Sequence, residues 1–286
     1  MTPSKVRHFM ANILQTHQPL VMGIINLSHD SFYQGSRSLT QEDFERRYGV
    51  MLEQGADIVD IGACSSRPGS TPVEEEVEWE LLKPALKIIL RVFPHSTFSL
   101  DTFRSSIVER AYDFVGDFII NDISSGEDDP EMIPMAAKLE LPYIAMHKKG
   151  TQQTMQSLCQ YEDVVKEVAE YFRHFVQKAN QAGIKEIILD PGFGFAKDLD
   201  QNYKLLNNLN SLKPTKEDGT NYPLLAGISR KSMIYRLLER TPDEVLSATS
   251  ALNLLALVNG ADILRVHDVK EAKEIITLYR TITKNR

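Results

Sequence analysis

The stretch IILDPG, Ile187–Gly192, decides the fold, because a short apolar run there ends in a carboxylate followed by a turn. Seven other apolar runs of similar length end in polar or small residues, and helical stretches follow most of the eight. The eight runs are Val21–Asn26, Ile58–Gly62, Phe98–Asp101, Phe118–Asn121, Tyr143–His147, Ile187–Asp190, Leu224–Ser229 and Ile263–His267. This alternation predicts an α/β fold, a single (β/α)8 TIM barrel whose chemistry lies at the carboxyl ends of its strands.

The rest of the chain fits one such barrel, for which 286 residues are a usual length. We expect residues 1–19 to form a short N-terminal extension and residues 20–286 to form the barrel. The predicted helices are Thr40–Gln54, Val73–Val92, Ser105–Phe114, Pro130–Leu139, Tyr161–Ala182, Leu199–Leu212, Ser232–Glu239, Pro242–Asn259 and Val269–Thr283. A doubly wound open sheet is the alternative, but the dinucleotide-binding fingerprint expected after its first strand is missing from the sequence.

Composition excludes several classes of protein. The net charge of −7 argues against nonspecific binding of nucleic acid. No apolar run approaches the roughly 20 residues of a membrane-spanning helix, and the N-terminal residues lack the apolar core of an export signal. Cys64 and Cys159 have neither a disulfide framework nor the spacing of a zinc site. We therefore expect a cytoplasmic protein without nucleic-acid or membrane partners.

Carboxylates and an amide follow the buried runs at Asp101, Asn121 and Asp190. A carboxylate accepts two parallel hydrogen bonds from an N–H-rich ring edge, and an amide both donates and accepts. The alternative is that the two aspartates only cap the loops that follow them. Taken together, the three residues favour recognition of a flat, amine-rich heterocycle.

Cations follow the last two runs, in GISRKS (Gly227–Ser232) and in LRVHD. Lys231 supplies a point charge near the start of a helix, where an anion binds readily. Arg265 and His267 lie on the same side of their strand, and arginine suits bidentate binding of phosphate. The alternatives are a solvated Arg-Lys pair and a structural histidine.

Four other features add candidate contacts. Asn26 is a candidate ligand of a magnesium ion that also holds a diphosphate, or else an asparagine that only forms a turn. Phe195 in DPGFGF is placed to stack on an aromatic ligand. Met146 either lines the pocket floor or packs in the core. Cys64 lacks an evident activating base, which argues against a catalytic thiol.

Three long loops follow strands and therefore belong to the face where the chemistry is expected. They are Ser28–Leu39, Ala63–Pro72 and Lys148–Gln160. We expect the first two to act as lids over a reactive intermediate.

Eight motifs stand in one order along the chain: GIINLSHDSF, DIGACSSRPG, SLDT, IINDISS, MHKKGTQQTMQ, IILDPGFGF, GISRKS and RVHDV. In this order they resemble the dihydropteroate synthases of the folate pathway, from about Leu20 to the C-terminus. The resemblance implies a transferase that condenses 6-hydroxymethyl-7,8-dihydropterin diphosphate with p-aminobenzoate. Dihydropteroate forms and pyrophosphate leaves, with Mg²⁺ assisting. The family is usually dimeric and is the target of sulfonamides.

The resemblance also implies a role for individual residues. The pterin-binding residues would be Asp101, Asn121, Met146, Asp190, Phe195 and Lys231. The diphosphate-binding residues would be Asn26, Arg265 and His267, with Asn26 also the metal ligand. The p-aminobenzoate pocket would be framed by Ser66, Arg67, Pro68, Phe195, Lys231 and Ser232. Catalysis would depend on Asp101, Asp190, Lys231 and Arg265.

This chemistry is physically consistent with a dissociative mechanism. The aryl amine is a weak neutral nucleophile, so it needs an electrophile created by departure of a stabilised anion. Arg265, His267 and Mg²⁺ would stabilise the pyrophosphate. Asp101 and Asp190 would offset the charge of the pterin cation, and the lids would keep water away from it.

The chain departs from the family pattern mainly in its loops. His29 stands where proline is usual, Gln34 where aspartate is usual, Cys64 where glutamate is common and Ser66 where threonine is common; MHKKG replaces MHMRG. Two other functions remain as alternatives. A barrel that passes a folate methyl group to a corrinoid protein should lack Arg265 and His267. A non-catalytic paralogue would bind a pterin without turnover.

Overall fold

The computed structural model describes residues 18–27, 40–64, 70–151 and 153–284. Most of the predicted N-terminal extension lies outside these residues, as does the whole first lid, Ser28–Leu39, with His29 and Gln34. The strands are β1 (Leu20–Asn26), β2 (Ile58–Gly62), β3 (Phe98–Asp101), β4 (Ile119–Asp122), β5 (Tyr143–Met146), β6 (Ile187–Asp190), β7 (Leu225–Ala226) and β8 (Ile263–Val266).

The eight strands form a parallel barrel. Their order around the sheet is β6-β5-β4-β3-β2-β1-β8-β7. A parallel bridge between Leu189 in β6 and Leu224 before β7 joins the two ends. The (β/α)8 barrel is therefore confirmed, and the doubly wound open sheet is excluded.

The helices lie between the strands and beyond the last one. They are α1 (Gln41–Glu53), α2 (Glu75–Val92), α3 (Ser105–Val115), α4 (Met132–Leu139), α5 (Val164–Ala182), α6 (Leu199–Asn207), α7 (Ser232–Tyr235), α8 (Leu246–Val258) and α9 (Val269–Lys284). Within the described residues, no helix has the length and apolar character that a membrane span requires.

Some predicted elements were too long. The predicted helix Leu199–Leu212 ends at Asn207 and continues as a separate 3-10 turn, Leu209–Leu212. The predicted helix Pro242–Asn259 is likewise a 3-10 turn followed by α8. Strand β7 has only two residues because the chain turns soon afterwards, with the Lys231 N–H bonding the Ile228 carbonyl. Apolar spacing does not reveal such turns.

An apolar plug fills the lower part of the barrel interior. Every strand except β3 contributes to it. The plug residues are Leu20, Met22, Ile58, Ile119, Ile144, Ile188, Leu225 and Ile263. Because side chains on a strand alternate with a period of two, the residue two positions after each plug residue faces the interior one layer higher. The plug thus forms an apolar floor beneath the next layer of interior side chains.

Candidate active site

The layer above the plug is mostly polar. On β2, for example, Asp60 follows Ile58 by two positions. The residues that this spacing places in the second layer are Ile24, Asp60, Asn121, Met146, Asp190, Gly227 and Arg265. Four of the nine predicted ring-binding and anion-binding residues, Asn121, Met146, Asp190 and Arg265, are therefore brought into one layer of the barrel interior.

Arg265 connects two carboxylates at this level. Its Nε donates to Asp60 Oδ2 at 2.8 Å, and its Nη2 lies 2.6 Å from the same oxygen and 3.1 Å from Asp101 Oδ2. A guanidinium carries five N–H donors, and these contacts use only its Nε and Nη2 edge. The arginine predicted to bind phosphate thus already has a carboxylate partner, Asp60, that the sequence interpretation missed.

Asp60 has further partners on two other strands. The Ser99 hydroxyl donates to Asp60 Oδ1 at 2.5 Å. Asn121 Nδ2 lies 3.1 Å from both carboxylate oxygens of Asp60. Only 1% of Asp60 is exposed, so these neutral and charged donors replace the water that a buried carboxylate would otherwise require.

The protonation of Asp101 differs from the expected permanent carboxylate. Burial, together with the nearby Asp60 carboxylate, raises the pKa of Asp101 to about 8, although Arg265 acts in the opposite direction. Burial lowers the pKa of Arg265, but the two aspartates outweigh it and hold that pKa above its ordinary value. Asp101 therefore carries a proton at neutral pH unless a cation or strong N–H donor approaches, while Arg265 stays charged.

Asp190 ends β6 and shapes the turn that follows. Its Oδ1 accepts a hydrogen bond from the Gly192 N–H at 2.7 Å. Gly192 has a φ of +68°, and a Cβ there would overlap the His147 carbonyl oxygen, so this turn requires glycine. A Cβ on Gly227 would lie 3.8 Å from Asp190 Oδ2 and 3.9 Å from Arg265 Cβ, which places these two side chains on either side of Gly227. Burial raises the pKa of Asp190.

Lys231 lies on the same side of the site as Asp190. Its ammonium donates to the Phe193 carbonyl and lies 4.2 Å from the centroid of the Phe195 ring. Burial lowers the pKa of Lys231 to about 8, whereas Asp190 acts in the opposite direction. Ser232 is the next residue and begins α7. The predicted neighbourhood of Lys231, Ser232 and Phe195 is therefore present.

Met146 belongs to a small apolar cluster beside Phe195. The cluster residues are Ile123, Met146, Met155, Phe195 and Ala196. Both Met146 and Phe195 are buried, so the described structure gives them a packing role.

Lys197 was not predicted, yet it holds the turn after β6. Its ammonium lies 3.0 Å from His147 Nδ1, 3.2 Å from the His147 carbonyl, 3.0 Å from the Gly192 carbonyl and 2.9 Å from the Phe195 carbonyl. Burial lowers the pKa of Lys197 to about 7, while Asp190 acts in the opposite direction. This lysine joins the end of β5 to the loop that carries Phe195.

Replacing Lys197 with methionine should destabilise the barrel and misplace this loop. The buried carbonyls would lose a shared hydrogen-bond donor, at a cost of about 1–3 kcal/mol in the free energy of unfolding. Urea denaturation measures the loss. The control is Lys185→Met, because Lys185 is an exposed lysine paired with Glu140. Equal stability of the two variants would show that the four contacts of Lys197 are unimportant.

His267 follows β8 and contacts Ser229 in the connection between β7 and β8. Ser229 Oγ lies 3.1 Å from His267 Nδ1 and accepts a hydrogen bond from the His267 N–H at 3.2 Å. Arg230 is 24% exposed and pairs with Asp268 and Asp243 at 2.7 Å each. Of the two cations in SRKS, only Lys231 is therefore available to the interior site.

Asn26 ends β1 at the same height as Asp101. It pairs in register with Gly62, which in turn pairs with Asp101. A Cβ on Gly62 would lie 3.0 Å from Asp101 Cβ, so glycine leaves space for that carboxyl group. Ser66, Arg67 and Pro68 lie outside the described residues.

Cys64 is buried near Arg104, whose Nη1 lies 3.6 Å from its sulfur. Burial, with the Glu78 carboxylate, raises the pKa of the Cys64 thiol to about 12. A thiol in this state is a poor nucleophile at neutral pH, which agrees with the sequence argument against catalysis by Cys64.

We expect Cys64→Ala to retain turnover and Cys64 to resist alkylation at neutral pH. Cys159 is more exposed and should react with iodoacetamide first. Peptide mapping by mass spectrometry follows both thiols. Rapid alkylation of Cys64 that stops turnover would contradict its assignment as a buried, protonated thiol.

Fold and site together define a (β/α)8-barrel protein with ring-edge acceptors and a paired arginine above its apolar plug. The family model described as "Pterin binding enzyme" matches residues 22–267. The chain belongs to this family, and the resemblance drawn from the eight motifs is confirmed.

Relatives and solved structures agree. The dihydropteroate synthase of Escherichia coli K12 is 40% identical over 263 residues, covering 91% of this chain and 90% of the relative. A Yersinia pestis dihydropteroate synthase in complex with a sulfonamide drug has a TM-score of 0.86 at 34% identity, covering 95% of this chain and 96% of that one. A Burkholderia cenocepacia dihydropteroate synthase complexed with 7,8-dihydropteroate has a TM-score of 0.83 at 35% identity, covering 94% of each chain.

Proposed function

We propose that this chain is a dihydropteroate synthase. It condenses 6-hydroxymethyl-7,8-dihydropterin diphosphate with p-aminobenzoate to give 7,8-dihydropteroate and pyrophosphate. The observation that carries the proposal is family membership combined with a polar barrel end, at which Asp101 and Asp190 close β3 and β6 and Asn121 stands one residue before the end of β4. These residues supply acceptors for a ring edge rich in N–H groups.

Each side chain has a distinct part in this reaction. Asn121 and Asp190 accept hydrogen bonds from the pterin, and Lys231 donates to it and limits one wall together with Phe195. Arg265 and His267 bind the diphosphate through charge-assisted hydrogen bonds. Ser66, Arg67, Pro68 and Ser232 frame the p-aminobenzoate pocket together with Lys231 and Phe195.

The charge pattern supports dissociation of the leaving group before the amine attacks. A pterin cation above Asp101 and Asp190 would lower the raised pKa values of both groups and so favour their ionised forms as positive charge develops. The charged Arg265 stabilises the negative charge on the departing pyrophosphate.

The mechanism can be tested with a heavy-oxygen label in the bridging position of the diphosphate, without p-aminobenzoate. Return of the leaving group should scramble the label into non-bridging positions. No scrambling, together with a rate set by the nucleophilicity of the amine, would favour direct displacement.

Mg²⁺ fits the site as a partner of the substrate. Among the described residues, no group of three or more histidine, cysteine, aspartate or glutamate side chains is arranged to hold a metal ion alone. Mg²⁺ often takes only one or two protein ligands and completes its shell with water and phosphate oxygens. The amide oxygen of Asn26 would be such a ligand, and the bound ion would neutralise charge on the diphosphate.

The primary test is turnover by the purified protein with Mg²⁺ and both substrates. We expect dihydropteroate and pyrophosphate in equal amounts, and no product after addition of EDTA. Tight pterin binding without product would instead identify a binding paralogue. The departures at Gln34, Cys64 and Ser66 are the feature that keeps this second candidate open.

We further propose a cytoplasmic homodimer. The last two helices expose apolar side chains, namely Leu255, Val258, Leu278 and Ile282. Exposed apolar surface of this kind favours self-association. Analytical ultracentrifugation should give twice the chain mass, and Leu278→Glu should shift the protein toward monomer; a monomeric parent protein would contradict the dimer.

A further inference from the structure

Asp60 is the most connected polar side chain of the interior layer, and the proposed reaction does not bring it into contact with substrate. Its carboxylate bonds Ser99 on β3, Asn121 on β4 and Arg265 on β8. Two of these three partners are residues to which the proposed function assigns substrate contacts. Asp60 stands two residues above the plug, in the same interior layer as Asn121 and Arg265.

We propose that Asp60 is a positioning residue whose carboxylate determines which atoms of Arg265 and Asn121 remain for the substrate. The inference rests on the proposed function of this site. An ionised carboxylate only accepts hydrogen bonds. Asp60 therefore selects the Nδ2 end of the Asn121 amide and leaves Oδ1 as an acceptor for a ring N–H.

Asp60 also determines which atoms of Arg265 remain for an anion. Asp60 binds its Nε and Nη2 edge, which leaves Nη1 as the part of the guanidinium directed to an anion. Arg265 Nη2 already contacts Asp101 at 3.1 Å, and without Asp60 that carboxyl group would be its only fixed counter-charge among these contacts. Asp60 holds the Nε and Nη2 edge and so limits how much of the guanidinium pairs with Asp101.

Asp60 also affects the charge of Asp101. The charged groups that act on Asp101 include Asp60 on β2, Arg265 on β8, Glu78 on α2, Asp122 on β4 and Lys231 just before α7. Of these, Asp60 makes the largest contribution to raising the pKa of Asp101, and Arg265 opposes it. Removing the Asp60 charge should lower the pKa of Asp101 twice over, by ending the repulsion and by freeing Arg265.

The test is Asp60→Asn, with binding of 6-hydroxymethylpterin followed by fluorescence as a function of pH. On the alkaline plateau, we expect affinity to fall roughly 10–100-fold, the usual effect of losing an outer-shell partner. The rise of affinity with pH, which follows ionisation of Asp101, should move at least about one pH unit lower. Asp101→Asn is the reference, because asparagine does not titrate. Any pH dependence of binding that remains in this variant is assigned to ionisation of the pterin.

Ser99→Ala is the matched control, because it removes a hydrogen bond from Asp60 without removing charge. It should leave the pH at which affinity rises unchanged. A folded Asp60→Asn protein with unchanged affinity and pH dependence would overturn the inference. Absence of pterin binding by the parent protein would overturn the proposed function as well.

A second comparison covers the case in which Asp60→Asn does not fold. Arg265→Gln raises the pKa of Asp101, and the double variant with Asp60→Asn leaves neither charge unpaired. We expect the affinity for the pterin to begin rising at a lower pH in the double variant than in Arg265→Gln alone. Identical profiles for these two proteins would overturn the inference.

Discussion

Replacing Arg265 with alanine should lower kcat/KM by at least ~10³-fold, the upper range for loss of a preorganised charge contact. The variant loses the cation proposed to stabilise pyrophosphate. It also leaves the adjacent carboxyl groups of Asp60 and Asp101 without the guanidinium that lies between them. Since Arg265 holds the pKa of Asp101 down, that pKa should rise further. Steady-state assay of pyrophosphate release measures the loss.

Two comparisons isolate the cause. Arg265→Lys keeps the charge but cannot form the fork that reaches two carboxylates, so it should recover only part of the activity. Arg230→Ala removes an arginine that pairs with Asp243 and Asp268 away from the interior layer, and its kcat/KM should stay within a few-fold of the parent protein. Near-normal turnover of Arg265→Ala would show that the anion is bound elsewhere.

The strand-end residues could be predicted because their position follows from local pattern alone. Asp101 and Asp190 each close an apolar run, and parallel strands bring such ends to one face of a barrel. Asn121 was predicted in the same way, although β4 extends one residue further, to Asp122. The family resemblance then gave these positions a substrate.

Partners that are distant in sequence could not be predicted. Asp60 lies inside the buried run IVDIG, and its partners Ser99, Asn121 and Arg265 are 39, 61 and 205 residues away. A charged residue in a fully buried strand must be paired, so Asp60 carried a signal that was overlooked. Lys197 carried none, because nothing in GFAKD indicates that its ammonium turns inward to backbone carbonyls.

Replacing Asp190 with asparagine should lower turnover at least ~10²-fold, the scale of losing one preorganised electrostatic contact. The amide can still accept the Gly192 hydrogen bond, so the turn should persist while the charge is lost. Asp190 is also the group that most opposes the lowering of the Lys231 pKa by burial. Without it, the pKa of Lys231 should fall below about 8, and Lys231 should lose its proton at lower pH.

Measuring turnover as a function of pH therefore separates the loss of the Asp190 charge from the change in the pKa of Lys231. If charged Lys231 is required, the alkaline decline of activity should begin at lower pH in Asp190→Asn than in the parent protein. The control is Asp198→Asn, because Asp198 caps α6 by accepting from the Gln201 N–H at 2.8 Å, and asparagine caps equally well. That variant should keep both the rate and the pH profile. A near-normal rate for Asp190→Asn would mean that the pterin does not lie against β6, because a ring held there could not lose its carboxylate partner without consequence.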